Sequence, residues 1–178
     1  MTSQPTVVLD HYAEPRIRSR LQEQTGPQLH GALDIALPAD LPLEGWWALT
    51  LLGRNGAGKS WLALRVLKEL ATTLRLPYRF QSCPELVSRL HRSVSESDGA
   101  SHSILEYLIT VELLVLDDIM RIRLTPYVTE CLVQILHQRC EWERRTILTC
   151  DQSPKTLDPA IYSRLGPARG GLAYQVRR

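Results

Sequence analysis

Lysine is scarce in this chain: of 21 basic residues only Lys59, Lys68 and Lys155 are lysines, and the rest are arginines. The bias reads as base composition rather than selection for bidentate phosphate contacts. Excess charge of one sign is also lacking. The 21 basic residues face 19 acidic ones, for a net charge of +2, so bulk charge argues for neither nucleic-acid nor membrane binding and any basic patch must be local. The four cysteines, Cys83, Cys131, Cys140 and Cys150, form no C-x-x-C pair and no zinc spacing with the five histidines. They read as small buried thiols. No stretch approaches the roughly 18 apolar residues that a membrane-spanning helix needs, and the N-terminal MTSQPTVVLDHYAEPRIRSR lacks a basic start followed by an apolar run. A cytoplasmic protein with no membrane partner is the expectation.

What is present is enough apolar material, 44% of 178 residues, for one α/β domain with a real core. Residues 1–44 are broken by Pro5, Pro15, Pro27, Pro38 and Pro42 and have room for one short amphipathic helix, Arg16 to Gln24. They are read as an N-terminal extension to a core over 45–178. In that core the apolar runs predict strands at Trp47–Leu52, Tyr78–Gln81, Leu113–Leu116, Arg145–Cys150 and Leu172–Val176. Helical periodicity predicts helices at Lys59–Leu74, Pro84–Arg92, Ile104–Ile109, Pro126–Arg139 and Pro159–Leu165, with a polar loop over Ser93–Ser101. Strands alternating with helices predict a parallel sheet of about five strands flanked by helices.

The chemistry concentrates in three segments. GRNGAGKS, Gly53 to Ser60, matches G-x-x-x-x-G-K-[ST] between a predicted strand and a predicted helix, the context that identifies a phosphate-binding loop. Gly53, Arg54, Asn55, Gly56, Ala57, Gly58 and the following Trp61 would surround a nucleotide, ATP or ADP, with backbone N–H groups aimed at its phosphates. Lys59 would neutralise the β- and γ-phosphates, and the Ser60 hydroxyl would hold Mg²⁺. LLVLDDI, Leu113 to Ile119, carries two carboxylates at the C-terminal end of a strand, where open α/β sheets bind ligands. Asp117 would hold magnesium, and Asp118 would orient and polarise the attacking water. TILTCDQS, Thr146 to Ser153, ends a third strand in polar residues. There Asp151, or more weakly Thr149, is a candidate to position water, and a turn or cap role for Asp151 stands equally. Trp46 and Trp47 are expected to pack beneath the adenine or in the core.

The order GRNGAGKSWLA, PELVSRL, LLVLDDI and ILTCDQSPKTLDPAIYSRL resembles the AAA+ ATPases of the DnaC/IstB group, helicase loaders and transposition helpers, over residues 45–178. The resemblance implies a P-loop fold of the AAA+ type, slow ATP hydrolysis and self-association in the ATP state. It also implies single-stranded DNA and a replicative helicase or other DNA-processing protein as partners. It makes Arg164 of IYSRL a finger that reaches a neighbouring subunit's γ-phosphate, and Arg177 or Arg178 a second sensor. Asp151 stands where the family's Thr-Ser-Asn places an asparagine. Candidate DNA contacts are Arg89 and Arg92, before the polar loop, and Arg121 and Arg123, after the carboxylate pair. The chain departs from larger relatives in having neither room for a separate N-terminal domain in residues 1–44 nor a C-terminal helical lid after its last strand. Arg16–Gln24 is then either a reduced docking peptide or a structural tether. Two other readings share the loop: a nucleotide-gated switch with little turnover, and a small P-loop kinase.

Overall fold

A computed structural model describes residues 11, 13–96, 100–151 and 154–177. Five strands, β1 (Ala48–Leu52), β2 (Tyr78–Ser82), β3 (Leu113–Asp117), β4 (Thr146–Cys150) and β5 (Gly171–Gln175), form one sheet in the order β2-β3-β4-β1-β5. Every pairing is parallel. Six α-helices surround it among the described residues: α1 (Glu14–Gln24), α2 (Lys59–Leu74), α3 (Cys83–Glu96), α4 (Ala100–Thr110), α5 (Pro126–Glu141) and α6 (Pro159–Leu165). The expected α/β class and parallel sheet are therefore present, and no helix follows β5 among the described residues.

Strand alternation divides the core in two. Leu49 and Leu51 of β1, Leu113 and Val115 of β3 and Ile147 of β4 face α1 and α2. Ala48, Leu114, Leu116, Leu148 and Cys150 face α3, α4, α5 and α6. The central strands β3 and β4 are buried along their whole length, which is why their sequences read as continuous apolar runs.

Two local expectations are corrected. Residues 1–44 hold more than one helix, because a 3-10 helix spans Pro27–Asp34 and buries Leu29, Ala32 and Leu33. The segment is tied to α2 by Arg65 Nε donating to the Ile35 carbonyl at 2.9 Å and Lys68 Nζ to the Leu33 carbonyl at 3.0 Å. In α1, Ile17 and Leu21 are fully buried, and the Gln24 side-chain oxygen accepts from the Phe80 backbone N–H at 2.8 Å, covering the β2 edge. The polar loop is also shorter than expected: α3 continues to Glu96 and α4 begins at Ala100, since serine and glutamate at a helix end carry only a small propensity cost. Positions 97–99 of that loop, and Arg178, lie outside the described residues.

All four cysteines are buried free thiols, and Cys83, fully buried, has its thiol pushed well above its usual range by desolvation and by the neighbouring Asp117 and Asp118 carboxylates. Slow modification by an aromatic disulfide reagent in the native state, against four rapidly reacting thiols in denaturant, is the expected result. A fast-reacting native thiol would contradict this packing.

Candidate functional site

The phosphate-binding loop turns the chain from β1 into α2 in six residues. Gly56 and Gly58 have φ of +76° and +91°, left-handed values that side chains resist. Gly53 is constrained by space instead: a Cβ there would stand 3.2 Å from Ala57 Cβ and 3.3 Å from the Val176 carbonyl oxygen. Lys59, the first residue of α2, is 5% exposed. Its ammonium donates to the carbonyls of Gly53 at 2.8 Å and Arg54 at 3.1 Å. Trp61 follows one residue after Ser60, is half-exposed, and packs its ring beside Gly31 of the 3-10 helix.

Opposite the loop, the end of β3 presents the acidic pair. Asp117 is buried and accepts from the Thr149 hydroxyl at 2.7 Å. Burial raises the Asp117 pKa above the usual carboxylate value; hydrogen bonds from Thr149 and Ser60 oppose the shift, the Asp118 charge adds to it, and Lys59 opposes it. The next residue, Asp118, adopts φ +60°, a left-handed conformation that aspartate tolerates better than most residues. Its backbone N–H donates to the same Thr149 oxygen at 2.8 Å, and its carboxylate pairs with Arg121 at 3.6 Å. Thr149, fully buried on β4, therefore holds both aspartates through one hydroxyl.

Asp151 lies one residue beyond β4, and its carboxylate pairs with the Lys59 ammonium at 2.7 Å. With the Asn55 amide nitrogen turned toward it, the same carboxylate accepts at 3.3 Å and 3.0 Å from the loop tip. In this arrangement Asp151 is a counter-ion to the loop lysine.

The other sequence candidates are dispersed. Arg164 is half-buried in the last turn of α6 and turns its guanidinium back onto the Ala160 carbonyl and the Ser163 hydroxyl, the latter at 3.4 Å. Its Nε is buried without a partner. Arg121 lines the cleft with Asp118, and Arg123 is exposed just beyond it. Arg89 and Arg92 lie on α3; Arg92 is exposed, while Arg89 faces a separate hollow with Arg79, Gln81 and Tyr107. Arg177 is exposed after β5. Trp46 and Trp47 are buried at the N-terminal end of β1, whereas the loop follows its C-terminal end, so they serve the core and not the adenine. Trp46 donates to the Pro42 carbonyl at 3.0 Å and stacks under Arg145 at 5.6 Å.

Sequence reading passed over one further residue. Arg139 of α5 is completely buried, with Nε donating to Thr146 Oγ1 at 2.7 Å and its terminal nitrogens to the carbonyls of Leu108, Ile109, Val111, Glu112 and Arg145. Burial pushes its pKa down to about 9, with Arg144 adding to the shift and Glu112 opposing it. The signal was in the helical phase: Arg139 follows Leu132, Ile135 and Leu136 on the apolar stripe of α5.

Leu29, Asn55, Gly56, Gly58, Lys59, Ser60, Trp61, Asp118 and Arg121 enclose a cleft of about 510 Å³ at the C-terminal ends of the strands. The donor set suits a nucleotide with magnesium. Backbone N–H groups and a buried ammonium could meet phosphate, while Ser60 and Asp117 could supply the few hard oxygen ligands magnesium takes from protein when phosphates complete its shell. Among the described residues no cluster of three or more His, Cys, Asp or Glu could hold a metal unaided, and no helix is long and apolar enough to cross a membrane.

Comparison with known proteins bears on the same cleft. The fold is similar to the crystal structure of the DnaC helicase loader (TM-score 0.63, 22% identity, 85% of this chain and 100% of that one). It is similar to DnaI (TM-score 0.65, 19% identity, 94% and 85%). It is also similar to the replication initiator DnaA bound to AMPPCP and single-stranded DNA (TM-score 0.65, 18% identity, 89% of this chain), of which it spans about half, 49%. No curated protein sequence matches. Residues 44–159, which contain the loop, both aspartates and Asp151, match the sequence profile of the IstB-like ATP binding proteins, so the chain belongs to that family.

Proposed function

We propose that this protein hydrolyses ATP slowly to drive the loading or remodelling of a DNA-processing partner, a replicative helicase, on single-stranded DNA in the cytoplasm. The observation that carries the reading is the meeting of Lys59, Ser60 and Asp118 at one cleft with Asp117 hydrogen-bonded behind Ser60, the Thr149 hydroxyl holding the Asp117 carboxylate and the Asp118 backbone N–H in place. Lys59 would neutralise the phosphate chain, and Ser60 with Asp117 would hold Mg²⁺, which supplies the charge that eases phosphoryl transfer. Asp118, which lines the cleft, would orient the water. Arg164 would act on a neighbouring subunit's site after turning off the Ala160 carbonyl. Arg89, Arg92, Arg121 and Arg123 would contact DNA phosphates.

The neighbours DnaC and DnaI support helicase loading, and the IstB-like family supports a transposition helper as the second reading. Identifying what co-purifies with the ATP-bound form separates them, a helicase supporting the first. Phosphate release should be slow, stimulated by single-stranded DNA, and lowered about tenfold or more by Arg164→Ala. Mixing Arg164→Ala with Lys59→Ala subunits should restore part of the activity, since each supplies what the other lacks, and sedimentation should show a larger species with ATP. Wild-type turnover by Arg164→Ala would remove it from the mechanism. Baseline phosphate release with ATP bound would instead favour a nucleotide-gated switch, a reading supported by the ion pair that holds Lys59.

A further inference from the structure

An ammonium has three N–H groups, and the protein engages all three of Lys59's: the Gly53 carbonyl at 2.8 Å, the Arg54 carbonyl at 3.1 Å and Asp151 Oδ1 at 2.7 Å. With its amide nitrogen turned toward Asp151, Asn55 donates to the same carboxylate. The pair is sheltered, with side-chain exposures of 5% for Lys59 and 22% for Asp151, so water screens it weakly. Asp151 stands one residue past the fully buried strand β4 and two past Thr149. A fixed negative charge thus stands where the loop's cation must meet phosphate.

We propose that Asp151 sets the nucleotide preference of this site, favouring a nucleoside diphosphate over a triphosphate through its charge against Lys59. The inference rests on the nucleotide-site reading above. A diphosphate brings only one of the two phosphates such a lysine meets, and the loop's backbone N–H groups and the N-terminus of α2 share in holding it. Lysines of such loops reach the β- and γ-phosphates, so the third phosphate and the Asp151 carboxylate compete for the same ammonium. Accepting it means breaking the 2.7 Å pair and leaving two like-charged groups close together in a partly buried site. A neutral asparagine has the same shape without that repulsion. Asp151 is on this account a specificity-determining residue, and exchange of diphosphate for triphosphate is resisted by the protein's own side chain.

The test compares equilibrium affinities for ADP and for a non-hydrolysable ATP analogue, both with Mg²⁺, by calorimetry. Asp151→Asn should raise affinity for the analogue about tenfold or more and change ADP affinity by less than about threefold. Asp151→Glu, which keeps the charge, should hold the wild-type ratio. Asp151→Ser, which removes the charge with a smaller side chain, should shift the ratio as asparagine does, and thermal melting of each variant reports whether it folds. An analogue-to-ADP ratio that stays within about twofold of wild type in both neutral variants overturns the proposal while leaving the nucleotide site standing. Failure of wild type and all variants to bind either nucleotide would overturn the site reading itself, and the proposal with it.

Discussion

Lys59→Ala is expected to weaken ATP binding about 100-fold and to bring phosphate release to the no-enzyme baseline. Among the described residues lining the cleft the ammonium is the only buried cation, and the neighbouring Ser60 is turned toward Asp117. The same substitution strips the carbonyls of Gly53 and Arg54 of a donor and leaves Asp151 facing Asn55 alone. Stability should therefore fall as well, by roughly 1–3 kcal/mol, the usual cost of orphaning sheltered polar groups. Calorimetric titration with ATP, read beside the thermal midpoint, separates the two effects. ATP affinity within about threefold of wild type would show that Lys59 serves the loop's own conformation and not the phosphates.

The second large effect lies away from the cleft. Arg139→Ala should destabilise the fold by roughly 3–5 kcal/mol, because several sheltered carbonyls lose their donor at a cost of about 1–3 kcal/mol each. The guanidinium fills a gap where α4 ends and β4 begins. The carbonyls of Leu108, Ile109 and Val111 have no further helical turn to bond, and Arg139 supplies their donors. Its charge is also placed at the negative end of the α4 dipole, which stabilises a cation without a carboxylate in contact. Alanine leaves these oxygens dry and unpaired. Lysine restores the charge but only three donors and no planar fork, so Arg139→Lys should recover a minor part of the loss. Denaturant unfolding measures both, and a midpoint for Arg139→Ala equal to wild type would refute the account. Against a typical total stability of about 5–15 kcal/mol, the alanine variant is expected to be poorly folded at elevated temperature.

The sheet and the phosphate loop were legible in the sequence because each announces itself locally. Buried parallel strands are short apolar runs, and the loop's glycines and lysine occupy fixed offsets between a strand and a helix. Asp117 was legible for the same reason, standing at the end of the most apolar strand. The 3-10 helix at Pro27–Asp34 was not, since two turns of PQLHGALD carry too little periodicity to separate from a proline-marked loop. Nor was the Lys59–Asp151 pair, whose members lie on α2 and beyond β4 and meet only because β1 and β4 are sheet neighbours. Arg164 could be located but not oriented: a sequence places it near a helix end, while packing decides that its guanidinium folds back on Ala160. Arg139 was detectable in principle from its place on the apolar stripe of α5, but an arginine there is ordinarily taken for the edge of that stripe.

Thr149 and Asp151 are two residues apart, the repeat that sends successive side chains of an extended chain to the same side. The first holds Asp117 and Asp118, and the second holds Lys59 and Asn55, so one short stretch of backbone keeps both halves of the cleft in register. For chain-length variation the consequence is severe. Inserting or deleting a single residue at Cys150 would turn one anchor away from the other while leaving every functional side chain present in the sequence. Length at this point is as much a part of the site as residue identity, and a relative that kept all the motifs but gained one residue here would have the parts of the cleft without their alignment.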